Sequence, residues 1–103
     1  MAKRNVVWTE TAAKQRREIL KYWTKRNGST IYAERLIKLI ARQVKAILNH
    51  PELFKLSEYP ETRESAIGHF SIYYKTSHDY LIITAFWDNR QDPKSLLELI
   101  TKK

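Results

Sequence analysis

The sequence predicts an α+β domain of order β-α-α-β-β-β-α, with an antiparallel helical hairpin packed on a mostly antiparallel four-stranded sheet. Three observations predict it. Apolar residues recur at spacings of three and four through two long stretches of the first half. Short alternating or β-branched runs occupy the second half, and one such run precedes the helices. With 103 residues, 43% of them hydrophobic, the chain suffices for one domain, 1–103, with its own core.

Arg4–Trp8 (RNVVW) reads as the opening strand. Thr9 suits an N-cap, and Glu10 then sits in the first turn, where the helix dipole favours an anion. From there to Asn27 the pattern is helical: Ala12, Ile19, Leu20 and Trp23 share a face, and Lys14, Arg17, Lys21 and Lys25 form a basic row on another. Asn27-Gly28 ends this helix, because glycine readily takes the left-handed conformation past a helix end. Ser29 or Thr30 caps the next helix, whose stripe is Ala33, Ile37, Ile40, Val44, Ile47 and Leu48 and whose basic row is Arg35, Lys38, Arg42 and Lys45. Asn49-His50-Pro51 closes it, since the residue before proline is pushed out of the α region. A connection this short makes the two helices antiparallel neighbours.

Residues 51–62 read as a loop anchored by Leu53, Phe54 and Leu56. Three strands follow: Arg63–Ile67; Phe70–Thr76, with Phe70, Ile72 and Tyr74 on one face and Ser71, Tyr73 and Lys75 on the other; and Tyr80–Trp87, apolar on both faces and so interior. Ser77-His78-Asp79 is the tight turn between the last two. Asp92-Pro93 opens a short final helix through Leu96, Leu97 and Ile100. Reversal at each element allows a wholly antiparallel sheet, with mixed pairing of the first strand left open.

Nineteen Lys and Arg against eleven Asp and Glu give a net charge of +8, concentrated in the first half. Such a field favours a polyanion or an acidic protein partner. The absence of cysteine removes disulfides, thiolate zinc sites and cysteine nucleophiles. Two glycines leave no room for a glycine-rich phosphate loop, and the three histidines lack metal-ligand spacing with carboxylates. No cofactor or metal is therefore expected. No run of about 20 apolar residues and no signal segment is seen, so the expected location is cytoplasmic, without a membrane partner.

The segments VVWT, STIYAERLIKLI, NHPELFKL, IGHFSIYYK and YLIITAFWDNRQDP, in this order and spacing, resemble the RelE/ParE superfamily of bacterial type II toxin–antitoxin systems, the plasmid-stabilisation type of protein included. The resemblance spans nearly the whole chain. It implies a small growth-inhibiting toxin, neutralised by a cognate acidic antitoxin in a hetero-oligomeric complex. The target it implies is either DNA gyrase, as for ParE-like members, or mRNA on the ribosome, as for RelE-like endonucleases. The nuclease branch commonly has an arginine where this chain has Ser71; a second family arginine is matched by Arg90. The C-terminal Tyr or His of many nuclease members has no counterpart in PKSLLELITKK. These departures favour gyrase inhibition over RNA cleavage.

A metal-independent ribonuclease needs an acid, a base and cations around the phosphorane. Were the chain a nuclease, its catalytic candidates are Arg90, Lys75, His69 and Tyr73, with Glu61, Glu64 and Lys94 as further groups. Trp87 and Arg90 at a strand exit suit base stacking or phosphate, or else Trp87 packs internally and Arg90 pairs with Asp88 or Asp92. For antitoxin or target binding the candidates are Arg17, Lys21, Ile31, Tyr32, Arg35, Lys38, Leu39 and Trp87. Ile31, Tyr32 and Leu39 lie off the apolar stripe, where exposed apolar groups mark contacts. The bland reading of the basic rows is two solvated helix faces. A rival function from another class is a non-enzymatic, basic nucleic-acid-binding module.

Overall fold

A computed structural model of the chain describes residues 3–90. Strand β1 (Asn5–Trp8) leads into α1 (Glu10–Asn27) and α2 (Ile31–Asn49), followed by β2 (Lys55–Leu56), β3 (Arg63–Ile67), β4 (Phe70–Thr76) and β5 (Tyr80–Asp88). The predicted α+β class holds, and so does the helical hairpin. The final helix expected from Asp92 lies outside the described residues.

Local chemistry sets the helix ends. The Thr9 hydroxyl accepts from the Ala12 amide at 3.1 Å, satisfying one of the orphan donors of the first turn. Gly28 takes φ 63°, and its N–H donates to the Thr24 carbonyl. At the next helix Ser29, rather than Thr30, accepts from the Ile31 amide, while the Thr30 hydroxyl donates to Glu34.

The sheet has one strand more than expected and settles the pairing of the first strand. Among the described residues there are five strands, ordered β1-β5-β4-β3-β2, because Lys55–Leu56, assigned to a loop, adds a two-residue edge to β3. The first strand also runs parallel to β5, Asn5 beside Tyr80 and Trp8 beside Ile83. The other pairings are antiparallel. Of the two arrangements the sequence left open, the mixed sheet is the one that forms. Two long helices between β1 and the rest of the sheet provide the long crossover that parallel pairing requires.

Helices α1 and α2 cover one face of the sheet. The main core beneath them joins Ala12, Leu36, Ile40 and Ile47 to Phe70, Ile72, Tyr74, Leu81, Ile83 and Phe86. Leu36 replaces Ile37 in the buried stripe, Ile37 being half exposed. Of the loop anchors only Phe54 packs on this core; Leu53 and Leu56 are exposed.

A register shift in β4–β5 explains why Tyr80–Asp88 is apolar on both faces. Tyr73 faces Ala85 but Tyr74 faces Ile83, so Thr84 is an extra residue in β5. Leu81 and Ile83 before the bulge and Phe86 after it all reach the main core. Ala85 and Trp87 turn to the other face, where they form a second cluster with Tyr59 and Tyr73. The bulge coincides with the end of β1. There the Thr9 hydroxyl donates to the Thr84 carbonyl at 3.4 Å. Nearly two turns further along α1, Gln15 Oε1 accepts from the Phe86 amide at 2.9 Å, so a side chain takes over the strand edge that β1 leaves.

Candidate functional site

Three surfaces carry the candidate residues: the end of the sheet around Arg90, the second sheet face around Tyr73, and the outer face of the hairpin.

Around Arg90 the guanidinium is committed to Asp88. Nε donates to Asp88 Oδ1 at 2.9 Å and Nη2 to Oδ2 at 2.7 Å, a bidentate pair, while the Arg90 amide also donates to Oδ1. These hydrogen bonds hold the Asp88 carboxyl below its ordinary range, with the charge of His69 adding a small pull in the same direction. The same pair raises the Arg90 value. The Arg90 guanidinium also lies 5.3 Å from the centre of the Trp23 ring, and that of Arg26 lies 5.8 Å from it. Tyr22 and Tyr32 flank Trp23, each with ring centres 5.2 Å away. A groove of about 860 Å³ opens here between α1 and the end of β5, with Ile19, Trp23 and Phe86 as apolar wall and Lys14, Glu18 and Asp88 among its polar groups. The side-chain nitrogen of Gln15, a further lining residue, is buried with no hydrogen-bond partner among the described residues.

His69 is exposed in the turn before β4, and its carbonyl accepts from the Asn89 amide, so it stands at the same end of the sheet as Arg90. Ser71, at the position where the nuclease branch has arginine, is buried. Its hydroxyl donates to Asn89 Oδ1 and accepts from Asn89 Nδ2. Tyr73 is buried beneath Tyr59, their rings edge to face at 5.6 Å. Burial, and then the adjacent Glu64 carboxylate, push its phenol far above the ordinary tyrosine value. Lys75 is opposite Ile82, whereas Phe70 is opposite Asp88. Five residues of strand, about 17 Å, therefore separate Lys75 from the His69–Arg90 end.

The structure thus brings His69 and Arg90 to one end of the sheet and does not gather Tyr73, Lys75 and Arg90. Trp87, placed at a strand exit suited to stacking, is buried in the second cluster. Of the expected contact residues Ile31 and Leu39 are exposed, but Tyr32 is half-buried against the main core and Trp23. Arg17, Lys21, Arg35 and Lys38 are all exposed. Sequence reasoning did not foresee the groove. Trp23 reads as a core residue, and only the i, i+3 relation of Trp23 to Arg26 hints that its edge is shared with a cation.

The two basic rows occupy the helix faces opposite the buried ones. At 100° per residue Lys14, Arg17, Lys21 and Lys25 lie within an arc of about 80° centred away from Ala12, Ile19 and Trp23. Arg35, Lys38, Arg42 and Lys45 are placed likewise against Ala33, Ile40 and Ile47. All eight are exposed. The ion pairs among the described residues are Lys55–Glu64, His78–Asp79 and Arg90–Asp88, so none involves these rows.

Comparison with known proteins agrees with this architecture. No curated protein matches the sequence significantly. A solved structure of a chromosomal ParDE toxin–antitoxin system from P. aeruginosa contains a chain that superposes with a TM-score of 0.71 at 20% identity, covering 82% of this chain and 94% of that one. At that identity the likeness speaks for the fold. The family model for the ParE toxin of the type II toxin–antitoxin system parDE matches residues 6–93. With that match running from the first strand past the last, the chain belongs to the ParE toxin family of type II toxin–antitoxin systems.

Proposed function

We propose that this toxin arrests growth by blocking DNA gyrase and is held inactive by a cognate acidic antitoxin. One observation carries the choice of target: the groups an RNA-cleaving site would need are dispersed or already engaged. The residue at the position of the nuclease-branch arginine is a buried serine bonded to Asn89. Tyr73 is shielded by Tyr59, Lys75 stands well up its strand, and Arg90 is chelated by Asp88. Proton transfer to or from a 2′-hydroxyl needs groups within hydrogen-bond reach of one another through the substrate. A protein-target inhibitor needs only a presented surface, and the exposed apolar side chains beside the basic rows, Tyr22, Ile37 and Leu39, supply one.

Induced expression in a bacterial host with pulse labelling tests the reading. DNA labelling falls first, cells become filamentous, and purified protein inhibits supercoiling by gyrase. A prompt fall in protein labelling with cleaved mRNA on ribosomes sinks it and makes His69 and Arg90, which share one end of the sheet, the first residues to mutate. Co-expression of a cognate antitoxin restores growth if the antitoxin assignment holds.

A further inference from the structure

The hairpin carries almost all of the net charge. Helices α1 and α2 contain ten Lys and Arg against three Asp and Glu, a surplus of seven within a total of +8. Both helices cover the same sheet face, so the two rows described above point away from the sheet side by side. Packed helices stand about 8–10 Å apart. Each row rises about 15 Å along its helix at 1.5 Å per residue. The result is a cationic face of two adjacent rows whose successive positions rise roughly 5 Å along each helix. Glu10, Glu18 and Glu34 are the carboxylates on these helices, and none of them pairs with a row cation among the described residues.

We propose that this outward face binds the phosphate backbone of duplex nucleic acid. The choice of a polyanion over an acidic protein rests on what the face lacks. A protein interface gains most of its affinity from apolar or aromatic anchors sunk in a desolvated centre. Here the exposed apolar side chains are Tyr22, Ile31, Ile37 and Leu39. At 100° per residue Tyr22, Ile37 and Leu39 fall outside the arcs of the two rows, Ile31 is the first residue of α2, and between its end members each arc holds cations alone. Phosphate neutralisation by unpaired lysines and arginines needs no such anchor, because release of condensed counterions supplies the driving force. Exposed chains with no ion-pair partner among the described residues break no such pair when they turn to phosphate.

Fluorescence anisotropy of the full chain with a labelled 20-base-pair DNA duplex tests the proposal across a salt series. Engagement of six or more row cations gives a log–log salt slope of about −5 or steeper. The double variant Lys21→Glu with Arg42→Glu, one reversal in the centre of each row, weakens binding at least about thirtyfold and flattens the slope by about two or more. The control Lys3→Glu with Lys55→Glu makes the same change in net charge away from the hairpin and alters affinity less than about threefold. Circular dichroism checks that both variants stay folded. Equal losses in the two variants mean that net charge alone binds DNA and overturn the proposal. It is overturned too if single-stranded DNA of the same length binds more tightly than the duplex. Loss of antitoxin capture in the row variant with unchanged duplex affinity assigns the face to the protein partner and overturns it as well. Gyrase supercoiling is read separately, so failure of the proposed target and failure of this surface are distinguishable.

Discussion

The two faces of the sheet are built from the same strands and solved differently. On one face Phe70, Ile72, Tyr74, Leu81, Ile83 and Phe86 meet two long helices and form a continuous apolar core. On the other, Tyr73, Ala85 and Trp87 are covered with Tyr59 from the loop between β2 and β3. That loop is held by side chains. The Ser57 hydroxyl donates to the Thr62 carbonyl at 2.7 Å and accepts from the Tyr59 amide, and the Thr62 hydroxyl donates to the Pro60 carbonyl at 2.9 Å. Glu61 in the same turn adopts φ 56°, a left-handed value uncommon outside glycine and asparagine. The lesson is that a large core tolerates any helix with a good stripe, whereas a small one depends on a few hydrogen bonds that place a single ring.

The comparison can be broken from either side. Phe86→Ala removes a fully buried ring stacked on Phe70 at 5.4 Å and should cost about 3–5 kcal/mol in denaturant unfolding. A loss under about 1 kcal/mol would mean that the helix-covered face is not the dominant core. Tyr59→Ala strips the cover from the opposite face at a smaller cost, about 2–3 kcal/mol. It also has a second readout. Burial raises the Tyr73 phenol, so exposing it lowers its titration midpoint toward the ordinary tyrosine value, visible in ultraviolet absorbance. Ser57→Ala keeps the ring and removes its tether, for about 1 kcal/mol. A loss comparable with that of Tyr59→Ala would show that the tether, not the ring, sets the stability of this face.

The smallest effect concerns the end of the sheet, where the Asp88 carboxyl is depressed by the hydrogen bonds from Arg90. A depressed carboxylate contributes stability that is present above its unfolded value, about 3.9, and is lost as pH falls through the lower folded value. Asp88→Asn should therefore flatten the acid limb of the stability profile below about pH 4 and leave the neutral-pH fold in place. An unchanged acid limb would show that the pair is energetically silent.

Much of this architecture was legible in the residues. The helix boundaries followed from Thr9, Gly28 and Pro51, and the strand Phe70–Thr76 from alternation. The parallel β1–β5 pairing was not legible, because it joins residues some 75 positions apart and local pattern carries no information on partner choice. The two-residue β2 was too short for any periodicity to register. For the candidate site, the exposed rows followed from spacing, and Asp88 was one of two partners the sequence offered Arg90. Internal packing of Trp87 was one of two readings left open, and the burial of Tyr73 was not foreseen. Both depend on the Thr84 bulge and on Tyr59 folding back, which are tertiary events.

The parallel pairing of the first strand with the last also has a consequence during synthesis. The hairpin is finished by Asn49, yet the strand that must lie between β1 and the rest of the sheet ends at Asp88. At a translation rate of about 5–20 residues per second, those intervening residues take roughly 2–8 s to appear. Through that interval Leu36, Ile40 and Ile47 have no sheet to pack on. The nascent toxin is then a partly assembled, high-contact-order intermediate rather than a finished fold. Its cell gains a short delay before the fold, and whatever surface the fold presents, exists at all.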